Sequence, residues 1–183
     1  MKSTYYVLVE PVDGKEYANQ TKDGLILNVS IEDFKSTQRL ARVVGVPEAM
    51  SLDVLVGDII VVHHNVFRSN YDMRGRLKKS NYLIENSLYY VEPERVYMIM
   101  RDGEWKMFGD YAFVEPVKRN TDGYHSNSAA YVEMVGRVSM IDGSFGSVHV
   151  GDLITFQKES EYEFRINEQK YYRIPTKNIV AVL

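Results

Sequence analysis

The chain repeats itself, and no other feature constrains its fold as much. "YVLVEPV" at residues 6–12 recurs as "YAFVEPV" at 111–117, and "VLVGDIIVV" at 54–62 recurs as "VHVGDLITF" at 148–156. "LYYVEPERVYMIM" at 88–100 then recurs, with one residue of slippage, as "KYYRIPTKNIVAVL" at 170–183. Three matches in one order mark a duplicated unit, which must fold as two similar bodies. The spacing between equivalents falls along the chain, from 105 residues (Glu10 to Glu115) to 94 (Gly57 to Gly151) to 82 (Tyr89 to Tyr171). The second copy is therefore shorter both before and after its Val-Gly-Asp element. Both losses belong in loops, which tolerate deletion where core strands do not.

Each copy reads as β. "TYYVLVE", "DIIVVHH", "RVYMIM", "DLITFQ", "EYEFRI" and "NIVAVL" are short runs rich in Val, Ile, Tyr and Phe, bounded by Gly, Asp, Asn or Pro. The segment nearest to a helical stripe, "SIEDFKSTQRLARVV", ends in β-branched residues that suit a strand. Many short strands at close spacing imply a small barrel or sandwich that hides its edges. The expectation is all-β: two small barrels in tandem, one over 1–101 and one over 111–183, joined by a link at 102–110.

Composition then removes classes of function. The chain is 45% hydrophobic and 26% charged, as an ordinary globular protein is. A net charge of −3 argues against a dedicated nucleic-acid binder, and the densest basic run, "RGRLKKS" at 74–80, reads as a solvated loop. The absence of cysteine excludes disulfides, thiolate metal sites and Cys nucleophiles, and fits a reducing, cytoplasmic setting. No apolar run approaches the roughly 20 residues that span a bilayer, so no membrane role is expected. The N-terminal stretch "MKSTYYVLVEP" does not read as a signal peptide.

Catalytic patterns are also missing. There is no nucleophile elbow, zinc-protease helix, P-loop or dinucleotide fingerprint, and neither enzyme activity nor a cofactor is expected. Adjacent His63 and His64 on a strand would face opposite ways, which prevents joint metal binding. Glu159, Glu161 and Glu163 read as a solvated face of one strand, and "DGSFGS" at 142–147 as a hairpin turn. The paired tyrosines Tyr5-Tyr6, Tyr89-Tyr90 and Tyr171-Tyr172 would each place one ring inward and one outward.

One stretch does not fit a plain repeat. In "NQTKDGLILNVSIED", three large aliphatics, Leu25-Ile26-Leu27, follow Lys-Asp-Gly within polar, loop-forming sequence. They either enter the core as a short strand or are held out for another protein. The order "YYVLVEP", "TKDGLIL", "RVVGV", "VGDIIVV", "RVYMIM" resembles the GroES-like co-chaperonin family, and most of that pattern returns in the second copy without an aliphatic loop. The resemblance implies two tandem GroES-like domains forming a ring, and a partner, a GroEL-like chaperonin ring, engaged through Gly24, Leu25, Ile26 and Leu27. It further implies homo-oligomers joined by edge strands, with Tyr5, Val7 and Val9 at one edge and Ile179, Ala181 and Leu183 at the other. Residues 96–100 and 111–114 would then meet within one chain. The second copy follows Asp122-Gly123 with Tyr124-His125-Ser126, so one chain would supply one docking loop for two domains. The alternative is a structural or assembly protein that keeps the fold without capping, such as a phage virion or accessory component in its host's cytoplasm. The extra segment at 63–82 favours it.

Overall fold

A computed structural model describes residues 2–17, 20–22, 25–27, 37, 39–119, 131–143, 145–166 and 169–183. The chain divides into two compact units, Met1–Lys106 and Met107–Leu183. Among the described residues the structure is β, and its only helices are single 3-10 turns of three residues. None is long and apolar enough to cross a membrane.

The first unit contains β1 (Lys2–Ser3), β2 (Val7–Pro11), β3 (Gln20–Lys22), β4 (Leu25–Leu27), β5 (Leu40–Pro47) and β6 (Ile59–Val62). It continues through β7 (Asn70–Tyr71), β8 (Leu77–Lys78), β9 (Leu83–Glu85), β10 (Leu88–Val91), β11 (Val96–Arg101) and β12 (Glu104–Met107). The second unit contains β13 (Tyr111–Lys118), β14 (Tyr131–Ile141), β15 (Leu153–Phe156), β16 (Tyr162–Ile166), β17 (Gln169–Pro175) and β18 (Ile179–Val182).

The first large sheet runs β12-β11-β6-β5-β2-β10-β9, with β1 added parallel to β5, and the second runs β18-β15-β14-β13-β17-β16. Removing β1 and β12 leaves one strand order twice. The correspondence reaches single pairs: Val9 faces Val43 and Tyr89, as Val114 faces Val138 and Tyr172. Each copy breaks register at the same place, between Leu8 and Val9 and between Phe113 and Val114. This pairing also corrects the sequence alignment. Tyr172, not Tyr171, takes the place of Tyr89, and Ile179 takes that of Val96, a constant offset of 83. The repeated Tyr-Tyr is a near match shifted by one residue.

Neither sheet closes into a barrel: β12 and β9 end the first order, and β18 and β16 end the second. The expected link at 102–110 instead begins with a hairpin. Asp102 and Gly103, at φ 54° and 84°, turn β11 back on itself as β12. Two consecutive left-handed residues match the twist of paired strands, and Asp-Gly is the composition that tolerates them.

Each unit has its own buried core, and consecutive residues such as Ile60, Val61 and Val62 are buried together. Val7, Val9, Val43, Ile60, Val62, Phe67 and Tyr89 are almost wholly buried in the first unit. Ala112, Val114, Val138, Val148, Ile154, Phe156 and Ile174 form one cluster in the second. Apolar burial at roughly 25 cal/mol per Å² is the main force holding each core together. Of the tyrosine pairs, Tyr89 is buried and Tyr90 half-buried, whereas Tyr5 and Tyr6 are both exposed. Tyr5 and Tyr6 precede β2, so no strand alternation acts on them.

Candidate functional site

Leu25–Leu27 is β4, and it pairs antiparallel with β3 in the register Lys22 to Leu25, Thr21 to Ile26 and Gln20 to Leu27. This ribbon is a sheet of its own, distinct from both large sheets. Gly24 lies outside the described residues, as does the second copy's corresponding stretch at 120–130.

The approach to the ribbon is well anchored. After the 3-10 turn Val12–Gly14, Glu16 accepts a hydrogen bond from the Tyr89 hydroxyl at 2.5 Å and an ion pair from Lys79 at 3.1 Å. Burial, and then the Glu16 carboxylate, push the Tyr89 phenol well above its ordinary pKa, so it stays a donor. The backbone N–H of buried Ser69 donates to the Tyr17 hydroxyl at 2.6 Å, and Tyr17 forms an isolated antiparallel bridge with Thr37. Glu16 and Tyr17 are thus tied to the core and to the segment at 63–82. Sequence reasoning missed Glu16, Tyr17 and Ser69, because partners 52 and 73 residues apart leave no local signal.

Of the expected edge residues, Tyr5 is 58% exposed and lies outside any strand. Val7 and Val9 are 0% exposed, and β2 is flanked by β5 on one side and β10 on the other. The edge expected at Tyr5–Val9 is therefore absent, because both rows of β2 backbone groups are used inside its own sheet. Within their own sheets, β11 pairs with β6 and β12, and β13 with β14 and β17. The other edge is present. Among the described residues β18 pairs only with β15; Ile179 packs on the core, while Ala181 and Leu183 are exposed.

The Val-Gly-Asp element is a hydrogen-bonded node built identically in both units. The Leu55 N–H donates to the Asp58 carboxylate at 2.8 Å, the Gly57 N–H to the Val43 carbonyl at 2.8 Å, and the Val43 N–H to the Asp58 carbonyl at 2.9 Å. In the second unit the His149 N–H donates to Asp152, the Gly151 N–H to Val138, and the Val138 N–H to the Asp152 carbonyl, each at 2.8 Å. Gly57 and Gly151 sit at φ 99° and 96°, a conformation reserved for glycine. Both nodes carry an arginine, on different groups: in the second, Arg137 Nη1 donates to the Gly151 carbonyl at 2.7 Å, whereas in the first the arginine holds the carboxylate. Arg101 grips Asp58 with Nε at 3.1 Å and Nη2 at 2.8 Å, and reaches Asp53 with Nη1 at 2.9 Å. The Arg101 hydrogen bonds hold the Asp58 carboxyl below the usual carboxylate range, against the opposing effect of burial.

His63 and His64 are not on opposite faces. β6 ends at Val62 and a 3-10 turn begins at His64, so the two rings stack with centroids 4.2 Å apart. His63 Nδ1 accepts the Asn65 N–H at 3.1 Å. Burial, then the neighbouring His63, Arg39, Arg68 and Arg95, lower the His64 pKa to about 3, so this imidazole is neutral. Among the described residues no three His, Asp or Glu side chains gather as a metal site. The three glutamates do not share a strand face either. Glu159 is in a turn at φ 61°, Glu161 precedes β16, and Glu163 within it pairs with Lys170 at 3.0 Å.

A scan against protein-family models and a search of curated proteins both give no match.

Proposed function

We propose that this chain is a co-chaperonin of the GroES-like type, with two tandem GroES-like domains, that docks a chaperonin ring through Leu25-Ile26-Leu27. One observation carries the reading: the aliphatic triplet, which a core strand would place in a large sheet, lies in a separate two-stranded ribbon between β2 and β5. Burying three such side chains in a groove would yield roughly 1.5–3 kcal/mol each, less the cost of fixing the ribbon. Several chains acting together on one ring would multiply a weak individual contact. Assembly would use free strand edges such as β18, because β2 has none. The non-capping alternative, an assembly protein on the same fold, draws on that fully paired β2 and on the segment at 63–82 that the second unit lacks.

The test is capture of a chaperonin ring with nucleotide present, comparing the protein with a Leu25→Ser/Ile26→Ser/Leu27→Ser variant. Capture by the parent alone, with both proteins folded by circular dichroism, supports docking. Absence of capture by the parent sinks capping for the ring tested, and unfolding of the variant assigns the triplet to the core.

A further inference from the structure

The segment at 63–82 has charge and shape of its own. It carries five cations (Arg68, Arg74, Arg76, Lys78 and Lys79) against one carboxylate, Asp72, in a chain whose net charge is −3. The rest of the protein is correspondingly acidic, so this is a local positive pole. It is also ordered by its own hydrogen bonds. Asp72 Oδ1 accepts the N–H groups of Arg74 at 2.8 Å and Arg76 at 2.9 Å, the Asp72 N–H donates to the Arg76 carbonyl at 2.9 Å, and β7 pairs with β8 beneath. The single carboxylate is spent on folding the tip. Arg74, Arg76 and Lys78 are exposed and form no ion pair among the described residues. Tyr71 on the same hairpin is 47% exposed.

At the base of this hairpin is a pocket of about 300 Å³ lined by Asn65, Arg68, Asn70, Lys79, Asn81 and Tyr82. No carboxylate lines it. Its floor is fixed: the buried Ser80 hydroxyl donates to the Asn65 carbonyl at 3.1 Å and accepts the Tyr82 N–H at 3.1 Å. Three side-chain amides stand beside Arg68 and Lys79, the latter paired with Glu16, and offer paired donors and acceptors.

We infer that the hairpin at 70–78 and the pocket beneath it bind single-stranded nucleic acid. The cations of the hairpin would follow the phosphates, Tyr71 would offer a stacking face, and the amides would meet the edges of one unstacked base. An anionic membrane would also attract Arg74, Arg76 and Lys78 but has no use for a concave pocket lined by amides, and the pocket decides for a strand with bases. The acidity of the whole chain does not oppose this, because screening confines attraction to about 10 Å at 0.1 M salt.

The test is fluorescence anisotropy with a labelled 12-nucleotide oligouridine. Three phosphate contacts give log K a slope near −2 against log salt, about a twenty-fold loss of affinity between 50 and 200 mM salt. Arg74→Glu/Arg76→Glu/Lys78→Glu should abolish binding, and the milder Arg74→Ala/Arg76→Ala/Lys78→Ala should flatten the salt slope. Asn70→Ala/Asn81→Ala should weaken binding severalfold with the slope unchanged. Absence of saturable binding at 50 mM salt overturns the inference, as does equal binding by the triple variants. Co-sedimentation with phosphatidylserine vesicles and no binding to the oligonucleotide reassigns the hairpin to lipid. Chaperonin capture is expected to be the same for the charge-reversed variant, which keeps this result separate from docking by Leu25-Ile26-Leu27.

Discussion

The second unit is nearly the first one with its additions removed. Six strands in one order, with the same register break and the same Val-Gly-Asp node, serve as the frame in both. Only the first unit shows, among the described residues, a ribbon between its first two frame strands, a basic hairpin after β6, and a strand, β12, along the outer side of β11. Each addition sits in a connection or at a sheet edge, where extra chain costs the core little. Leu25–Leu27 and the basic hairpin at 70–78 are among these additions, whereas the free edge of β18 belongs to the frame. The duplicated frame thus marks what folding requires, and the difference between the copies marks the additions on which the docking and strand-binding proposals rest.

The comparison is broken most strongly at the node. Asp58 is buried and gripped by Arg101, whereas the Asp152 side chain is 31% exposed with His149 Nδ1 at 3.7 Å. Asp58→Ala should cost about 3 kcal/mol in urea unfolding and Asp152→Ala about 1 kcal/mol. Equal losses would mean that the arginine adds nothing.

Acid should separate the units next. His64 has its folded pKa lowered to about 3 by burial and neighbouring cations. The unfolded chain takes up a proton near pH 6.5 and the folded one does not, so stability is lost as pH falls through this interval. Between pH 6 and 4 the loss reaches about 2 kcal/mol, and His64→Asn should remove it. Trp105, the only tryptophan, lies on β12 and reports the first unit through its fluorescence. Asp58 acts at lower pH: its carboxylate is held below the usual range, so its contribution is full above that range and lost as it protonates.

A smaller contrast concerns Gly136, which occupies in β14 the place of Ala41 in β5, both facing the isoleucine of the next strand. An added Cβ on Gly136 would lie 2.8 Å from Val114 Cγ2 and 3.2 Å from the Glu115 carbonyl. Gly136→Ala should destabilise by about 2 kcal/mol, while Ala41→Gly should cost no more than about 1 kcal/mol. The least effect is expected at Val56 and Val150, which are 62% and 64% exposed beside equivalent glycines. Val56→Ser and Val150→Ser should each stay within about 0.5 kcal/mol in thermal melts.

Much of the frame was legible from the repeat alone. The six runs rich in Val, Ile, Tyr and Phe became β2, β6, β11, β15, β16 and β18, because backbone pairing on a half-buried surface favours such residues. Register was not legible at the second Tyr-Tyr: identical letters aligned Tyr171 with Tyr89, whereas backbone pairing aligns Tyr172. Barrel closure and strand edges were misjudged for a related reason. Whether β2 lies inside a sheet depends on β10, whose Tyr89 pairs with Val9 across 80 residues of sequence, and no local pattern encodes that distance. The histidine pair went astray over a single residue, since the strand ends at Val62. Of the candidate sites, the triplet announced itself by its unusual setting. The positive pole was hidden in a chain-wide net charge that averages over it.

The node also explains how two copies could drift apart in sequence without losing their shape. Its strand-joining bonds run between backbone groups, and a single carboxylate in each copy binds the turn. Leu55 in one copy is His149 in the other, and Ile59 is Leu153, with the wiring unchanged. Such a joint places few demands on side chains. Neighbouring positions stay open to trial, and a connection can be lengthened on one side of the joint while the other side holds its alignment. Apart from its glycine, the geometry is inherited through peptide groups that every residue but proline supplies.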